Sequence, residues 1–150
     1  MKLPYGITQV IEKDDMRTSR DPVGDTPAKC FRNTGVVWVN KHFWNNLSDD
    51  IKCFILGHEA GHIVRDTDNE FEADKHAFEW CMQNGVGLKS TVYALTKVLS
   101  YPEEKPKQKA EQEARTRAMV NLALAYDAKY NNNPKAKNMN DYIPTAAEYE

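Results

Sequence analysis

No stretch of this 150-residue chain is apolar over the length that a membrane crossing requires, so a membrane-spanning class is not expected. Nor is there a dense run of Lys and Arg interleaved with aromatics. The 20 basic residues are set against 22 acidic ones for a net charge of −2, and nucleic acid is not an expected partner. The first residues, Met-Lys-Leu-Pro-Tyr-Gly, carry no apolar core of a secretory leader, which predicts a cytoplasmic protein. Cysteine is scarce, odd in number and widely spaced: Cys30, Cys53 and Cys81 match neither a disulfide framework nor zinc-finger spacing. They read as reduced, mostly buried thiols. No internal repeat is present, and the length suits one domain with a real core.

Against that background one stretch stands out, His58-Glu59-Ala60-Gly61-His62. In an α-helix each residue advances about 100°, so His62 lies about 40° round from His58 and one turn along. Both imidazoles then reach one metal ion. Glu59 falls at the edge of the same face, where it can contact water at the metal without displacing it. From Cys53 to Val64 the only polar side chains are His58, Glu59 and His62. A helix apolar nearly all round is a buried one, and its buried ionisable groups need a compensating charge. An accidental match on a surface helix would have other charges beside it, and this run has none.

Zinc in a catalytic site takes three protein ligands and keeps a fourth position open. The segment Glu70-Phe71-Glu72-Ala73-Asp74 offers the third ligand. Asp68 or Asn69 can cap a helix there, with Asn69 and Glu72 in capping-box register. Glu70 and Asp74 are four apart and share a face with Ala77, Phe78 and Cys81. Glu70 is expected to ligate the metal. Asp74 is expected to accept the spare N–H of a ligating histidine and fix its tautomer.

The pair His58-Glu59-x-x-His62 and Glu70-x-x-x-Asp74 resembles the gluzincin metallopeptidases, the thermolysin-like clan, and within it the small bacterial and phage peptidases. The resemblance covers about residues 30–85. It implies a zincin-like zinc endopeptidase acting on a protein or peptide, with Glu59 as general base, one Zn2+ per chain on His58, His62 and Glu70, and Asp74 supporting a ligand. Only seven residues separate His62 from Glu70, far fewer than in large members, which keeps Asp66 and Asp68 open as alternative ligands. In that clan the strand before the active-site helix is a sheet edge that takes up an extended substrate. The backbone of Val36, Val37, Trp38 and Val39 is the corresponding expectation. Tyr93 and Tyr101 are candidates by position for stabilising the oxyanion. The competing class is a zinc-stabilised regulatory or protein-binding module that uses the same groove without cleaving.

The rest of the chain predicts an α+β fold: a small twisted sheet, antiparallel or mixed, packed on the His58/His62 helix and followed by a helical C-terminal half. Strands are expected at 6–12, 28–32 and 36–40, the last two joined at Asn33-Thr34-Gly35. Residues 13–29 read as a connecting loop. Ser48 caps the active-site helix, and helices follow to Asn84-Gly85, over 91–101 and over 106–130. The charges in the first half of the last helix read as a solvated face, with Ala118, Leu122, Ala125 and Tyr126 as its packing stripe. His42 and His76 read as idle surface histidines. One domain over 1–130 and a flexible tail over 131–150 complete the expectation.

Overall fold

In the computed structural model of the protein, residues 2–99 and 106–131 are described. The expected tail therefore lies outside the described residues apart from its first position, as does Tyr101. The fold is α+β. Three strands, β1 (Gln9–Lys13), β2 (Ala28–Phe31) and β3 (Val36–Asn40), precede five α-helices: α1 (Lys41–Trp44), α2 (Asp49–Val64), α3 (Glu70–Gln83), α4 (Leu88–Leu99) and α5 (Pro106–Tyr126). A π-helical turn, Asp127–Asn131, extends α5. Among the described residues no helix is long and apolar enough to cross a membrane.

The sheet is mixed, in the order β1-β3-β2. The strand β3 has the most apolar sequence and takes the centre, parallel to β1 and antiparallel to β2. Its Val37 and Val39 are fully buried against the helices. Gly35 turns the β2–β3 hairpin at φ +75°, a conformation that favours glycine. This order corrects one expectation. The backbone of Val36, Val37, Trp38 and Val39 is paired on both sides and offers no free edge; β2 is the edge strand on the helix side. A strand buried in alternate positions between two neighbours gains most from the run of branched side chains, which is why the best strand in the sequence is the interior one.

The central helix α2 begins at Ser48, whose hydroxyl accepts from the Ile51 N–H, with Asp49 and Asp50 in the first turn. It lies against β2, α3 and α4, and nine of its residues are buried. Its contact with α3 is unusually close. A Cβ placed on Gly57 would sit 2.9 Å from the Ala77 Cα, and one on Gly61 would sit 2.9 Å from the Ala73 Cα. Two glycines four apart on α2 therefore face two alanines four apart on α3, and the backbones meet without intervening side chains. Cys53 and Cys81 complete this seam, their thiols hydrogen-bonded to each other across it. All three cysteines are unpaired.

The last helix keeps part of the predicted stripe, with Leu122 and Tyr126 partly buried against the core, and adds a more deeply buried face beside it. Its buried residues are Arg115, Met119, Val120 and Ala123, whereas Ala125 is exposed. The inward face therefore includes an arginine, which its ion pairs make tolerable to bury.

Gly61→Ala tests the seam. The added methyl has no room beside the Ala73 backbone, so α3 must move, at about 1–3 kcal/mol for an overpacked core. Chemical denaturation should show that loss, and metal affinity should fall with it because Glu70 rides on α3. Gly85→Ala, at an open position with φ +74°, should cost stability through strain without touching metal affinity.

Candidate metal centre

The helix α2 ends in a tight return. Asp66 adopts the left-handed region at φ +47°, the Thr67 N–H donates to the His62 carbonyl at 3.3 Å, and the Asp66 N–H donates to Ile63 at 3.4 Å. This pair of bonds is a Schellman ending, with aspartate where glycine is commoner. The turn bends the Thr67 carbonyl back onto the helix it has just left, where His62 Nδ1 donates to it at 2.7 Å. Asn69 then caps α3, its side chain accepting from the N–H groups of Phe71 and Glu72. The reciprocal half of the expected capping box is absent, because the Asn69 N–H goes to Thr67 Oγ1 at 3.0 Å.

Capped in this way, α3 presents Glu70 and Asp74 to the imidazoles. His58 Nε2 and His62 Nε2 lie 3.0 Å apart. Glu70 Oε1 is 2.9 Å from His62 Nε2, and Oε2 is 3.6 Å from His58 Nε2. Both remaining ring nitrogens are engaged: His62 Nδ1 with Thr67, His58 Nδ1 with Asp74 Oδ1 at 2.9 Å. The N–H thus sits on Nδ1 in each ring, and both Nε2 lone pairs aim at the point that Glu70 also faces. With both imidazoles neutral, three electron-pair donors converge on one point, a set that a metal ion satisfies and that protonation of His58 satisfies in its absence. Ligands about 2.0–2.1 Å from a tetrahedral zinc stand about 3.3–3.4 Å from one another, so separations of 2.9, 3.0 and 3.6 Å suit an ion of that size. His58, His62 and Glu70 can hold a metal ion.

Asp66 and Asp68, the alternative ligands, are elsewhere. Both are largely exposed and pair with Arg32, at 3.5 and 3.0 Å. Asp74 is buried and bound twice by Arg115 of α5, Nε to Oδ2 and Nη2 to Oδ1, each at 2.8 Å. Arg115 Nη1 also lies 3.2 Å from Glu70 Oε2. Sequence reasoning placed this arginine on a solvated face. The signal available was its spacing, since Arg115, Met119, Val120 and Ala123 form an i, i+4, i+5, i+8 set.

Glu59 is buried beside the metal ligands, and the Cys30 thiol of β2 hydrogen-bonds to it. Burial first, and then the Glu59 charge, push the Cys30 thiol well up, so it remains a neutral S–H donor to the carboxylate. A cavity of about 310 Å³ opens over Glu59, His58 and His62, walled by Phe54, Val98 and Leu99 on one side and by Pro27 to Cys30 on the other. The loop over 14–27 therefore contributes to the wall and is more than a connector. His42 is outside this cavity, its Nε2 3.1 Å from the Asp14 carbonyl. His76 is half-buried and accepts from Arg65 Nε at 3.3 Å, which corrects its reading as an idle surface residue.

In the metal-free protein the charges settle among themselves. Burial of the His58 ring opposes its charged form, but the hydrogen bonds to Asp74 and Glu70 outweigh that and raise it from 6.5 to about 10. Burial likewise opposes ionisation of Glu70 and Asp74, yet His58 with His62, and Arg115 with His58, hold these carboxyls below their ordinary values of 4.5 and 3.8. His58 then contributes stability that is complete below pH 6.5 and lost as pH rises through about 10. The carboxylates contribute stability that is present above their ordinary values and lost as pH falls below them. Chelator-treated protein should therefore have its highest Tm between pH 4.5 and 6.5 in a thermal scan series, with a decline toward pH 10.

Arg115→Met strands the Asp74 carboxylate and should cost about 3–5 kcal/mol in denaturant unfolding. The double variant with Asp74→Leu should recover part of that stability, because an apolar pair of similar volume removes the buried charge. Metal affinity should stay low in the double variant, since His58 Nδ1 has lost its acceptor there, whereas Arg115→Met alone keeps that acceptor.

No family model matches the chain, and comparison with curated proteins and with solved structures finds no match.

Proposed function

We propose that the chain is a zinc-dependent metallopeptidase that hydrolyses peptide bonds in a protein or peptide. The observation that carries this reading is the placement of Glu59. It is a buried carboxylate adjoining three converging ligands, and it faces a cavity large enough for part of a peptide. A site built only to hold a structural ion gains nothing from such a group.

His58, His62 and Glu70 would hold the ion, a mixed nitrogen and oxygen set that suits zinc. The chemistry supplied by bound zinc is Lewis-acid polarisation of the scissile carbonyl and acidification of water. Glu59 takes a proton from the attacking water and delivers it to the leaving amine. Cys30 donates its S–H to Glu59 and so holds the carboxylate toward the cavity. Asp74 and Thr67 fix the imidazole tautomers, and Arg115 fixes Asp74.

The substrate backbone is assigned to β2. The Asn40 N–H bonds to the Pro27 carbonyl at 2.8 Å, so residues 27, 29 and 31 face β3 and residues 28 and 30 point to the free edge. Thr26 Oγ1 already donates to the Ala28 carbonyl. The Cys30 N–H and C=O are left beside Glu59 to pair with an extended peptide.

Purified protein should carry about one zinc per chain by elemental analysis. Glu59→Gln should keep that zinc while hydrolysis of a confirmed substrate falls by about two to four orders of magnitude. Unchanged cleavage would remove Glu59 from the role of base. Bound zinc with no cleavage by the unaltered protein across a proteome-derived peptide library would instead favour the binding module. Glu70→Ala should abolish tight zinc binding in a competitive titration, whereas Asp66→Ala and Asp68→Ala should leave it intact.

A further inference from the structure

Two hollows meet at the candidate metal centre, and they differ in character. The first, the cavity over Glu59, is bounded by Phe54, Ile55, Val98 and Leu99. The second, of about 560 Å³, lies on the far side of Cys30, His62 and Glu70 and is bounded by Arg20, Arg32, Asn33 and Asp68. Because one borders residues 26–30 and the other residues 30–33, they follow β2 along its length. A peptide paired with this edge has one flank in an apolar hollow and the other in a polar one.

The charge in the polar hollow is unevenly met. Arg32 is neutralised by Asp66 and Asp68. Glu70 is engaged by both imidazoles and by Arg115. Arg20 is exposed, projects from the loop over 14–27, and forms no ion pair among the described residues. It also borders the adjoining hollow between residues 18–21 and the outer side of β2, so it stands where a side chain from an edge-paired peptide would pass.

We propose that this site selects peptides with an acidic side chain on the Arg20 side of the scissile bond and an apolar side chain on the Phe54/Val98 side. The inference rests on the hydrolytic reading of the centre and names the substrate class for it. Arg20 acts here as a specificity residue: its guanidinium meets the acidic side chain in a partly solvated hollow, where such a pair discriminates modestly and in a salt-dependent way. A lysine in the same place would face Arg20 directly, and like charges brought together reject the wrong partner.

The test uses the full zinc-loaded chain carrying Glu59→Gln, so that binding is read without turnover. Two fluorescent peptides differ only in Glu or Lys, placed two residues to one side of a bond flanked on the other side by Leu; each is made in both chain directions. In the direction that binds better, the Glu peptide should bind roughly five- to tenfold more tightly by anisotropy, and the gap should narrow as salt is raised. Adding Arg20→Glu should reverse the order. Equal affinity for the two peptides, or an order that Arg20→Glu leaves unchanged, overturns the proposal. Cleavage assays with Glu59 restored separate the two claims. A preserved binding order without cleavage of either peptide removes the hydrolytic reading alone, while equal cleavage of both removes the acidic preference alone. No binding of any peptide overturns both.

Discussion

The Asp74 carboxylate is where three helices are tied together. It takes the His58 N–H from α2, belongs to α3, and receives the Arg115 fork from α5. An isolated carboxylate this deeply buried would cost several kcal/mol, and its partners would be stranded with it. Burial is tolerable only because four polar groups satisfy one another in a chain from Arg115 through Asp74 and His58 to Glu70. The orientation of the metal ligands is thus inseparable from the docking of the C-terminal helix. A helix that sequence reasoning left outside the site supplies the charge that the site is built on.

The seven-residue connection between His62 and Glu70 is possible because α2 and α3 pack backbone to backbone. Glycines facing alanines remove the side-chain layer that separates most helix pairs by 8–10 Å. With the axes this close, a short return suffices, and its own backbone becomes useful. The left-handed Asp66 aims the Thr67 carbonyl at His62, so the turn closes the helix pair and fixes a ligand tautomer at once. In a looser helix pair the same sequence spacing would leave Glu70 short of the imidazoles.

Much of this was legible in the sequence because it depends on local periodicity. The spacing of His58, His62, Glu70 and Asp74 placed two donors on each of two helices, and the structure brings all four together. The helix boundaries were close to those observed, with Asn69 and Ser48 as caps. What was not legible is what depends on distant parts of the chain. Arg115 and Cys30 look like an ordinary surface charge and an ordinary thiol until α5 and β2 are docked on α2. The edge expected at Val36–Val39 rested on the family resemblance, since strand order is not written in a local pattern, and the sheet order β1-β3-β2 makes β3 the interior strand. The Gly57/Gly61 and Ala73/Ala77 stripes were visible as small residues four apart, and they carry meaning only as a facing pair.

The position of β2 explains how an open edge is kept beside the site without inviting other strands. An exposed edge is a template for any extended chain, including a second copy of the protein. Here it is four residues long, and the preceding loop is tethered across it through Lys29, whose ammonium reaches Asp21 at 3.1 Å and the Met16 carbonyl. Its carbonyl at Ala28 already accepts from Thr26. That leaves the Ala28 N–H and the backbone of Cys30, which lies beside Glu59 at the cavity. The short edge and the tethered loop leave room for an extended chain only over a few residues. On the hydrolytic reading proposed above, the same restriction that guards against self-association would also decide where a substrate lies.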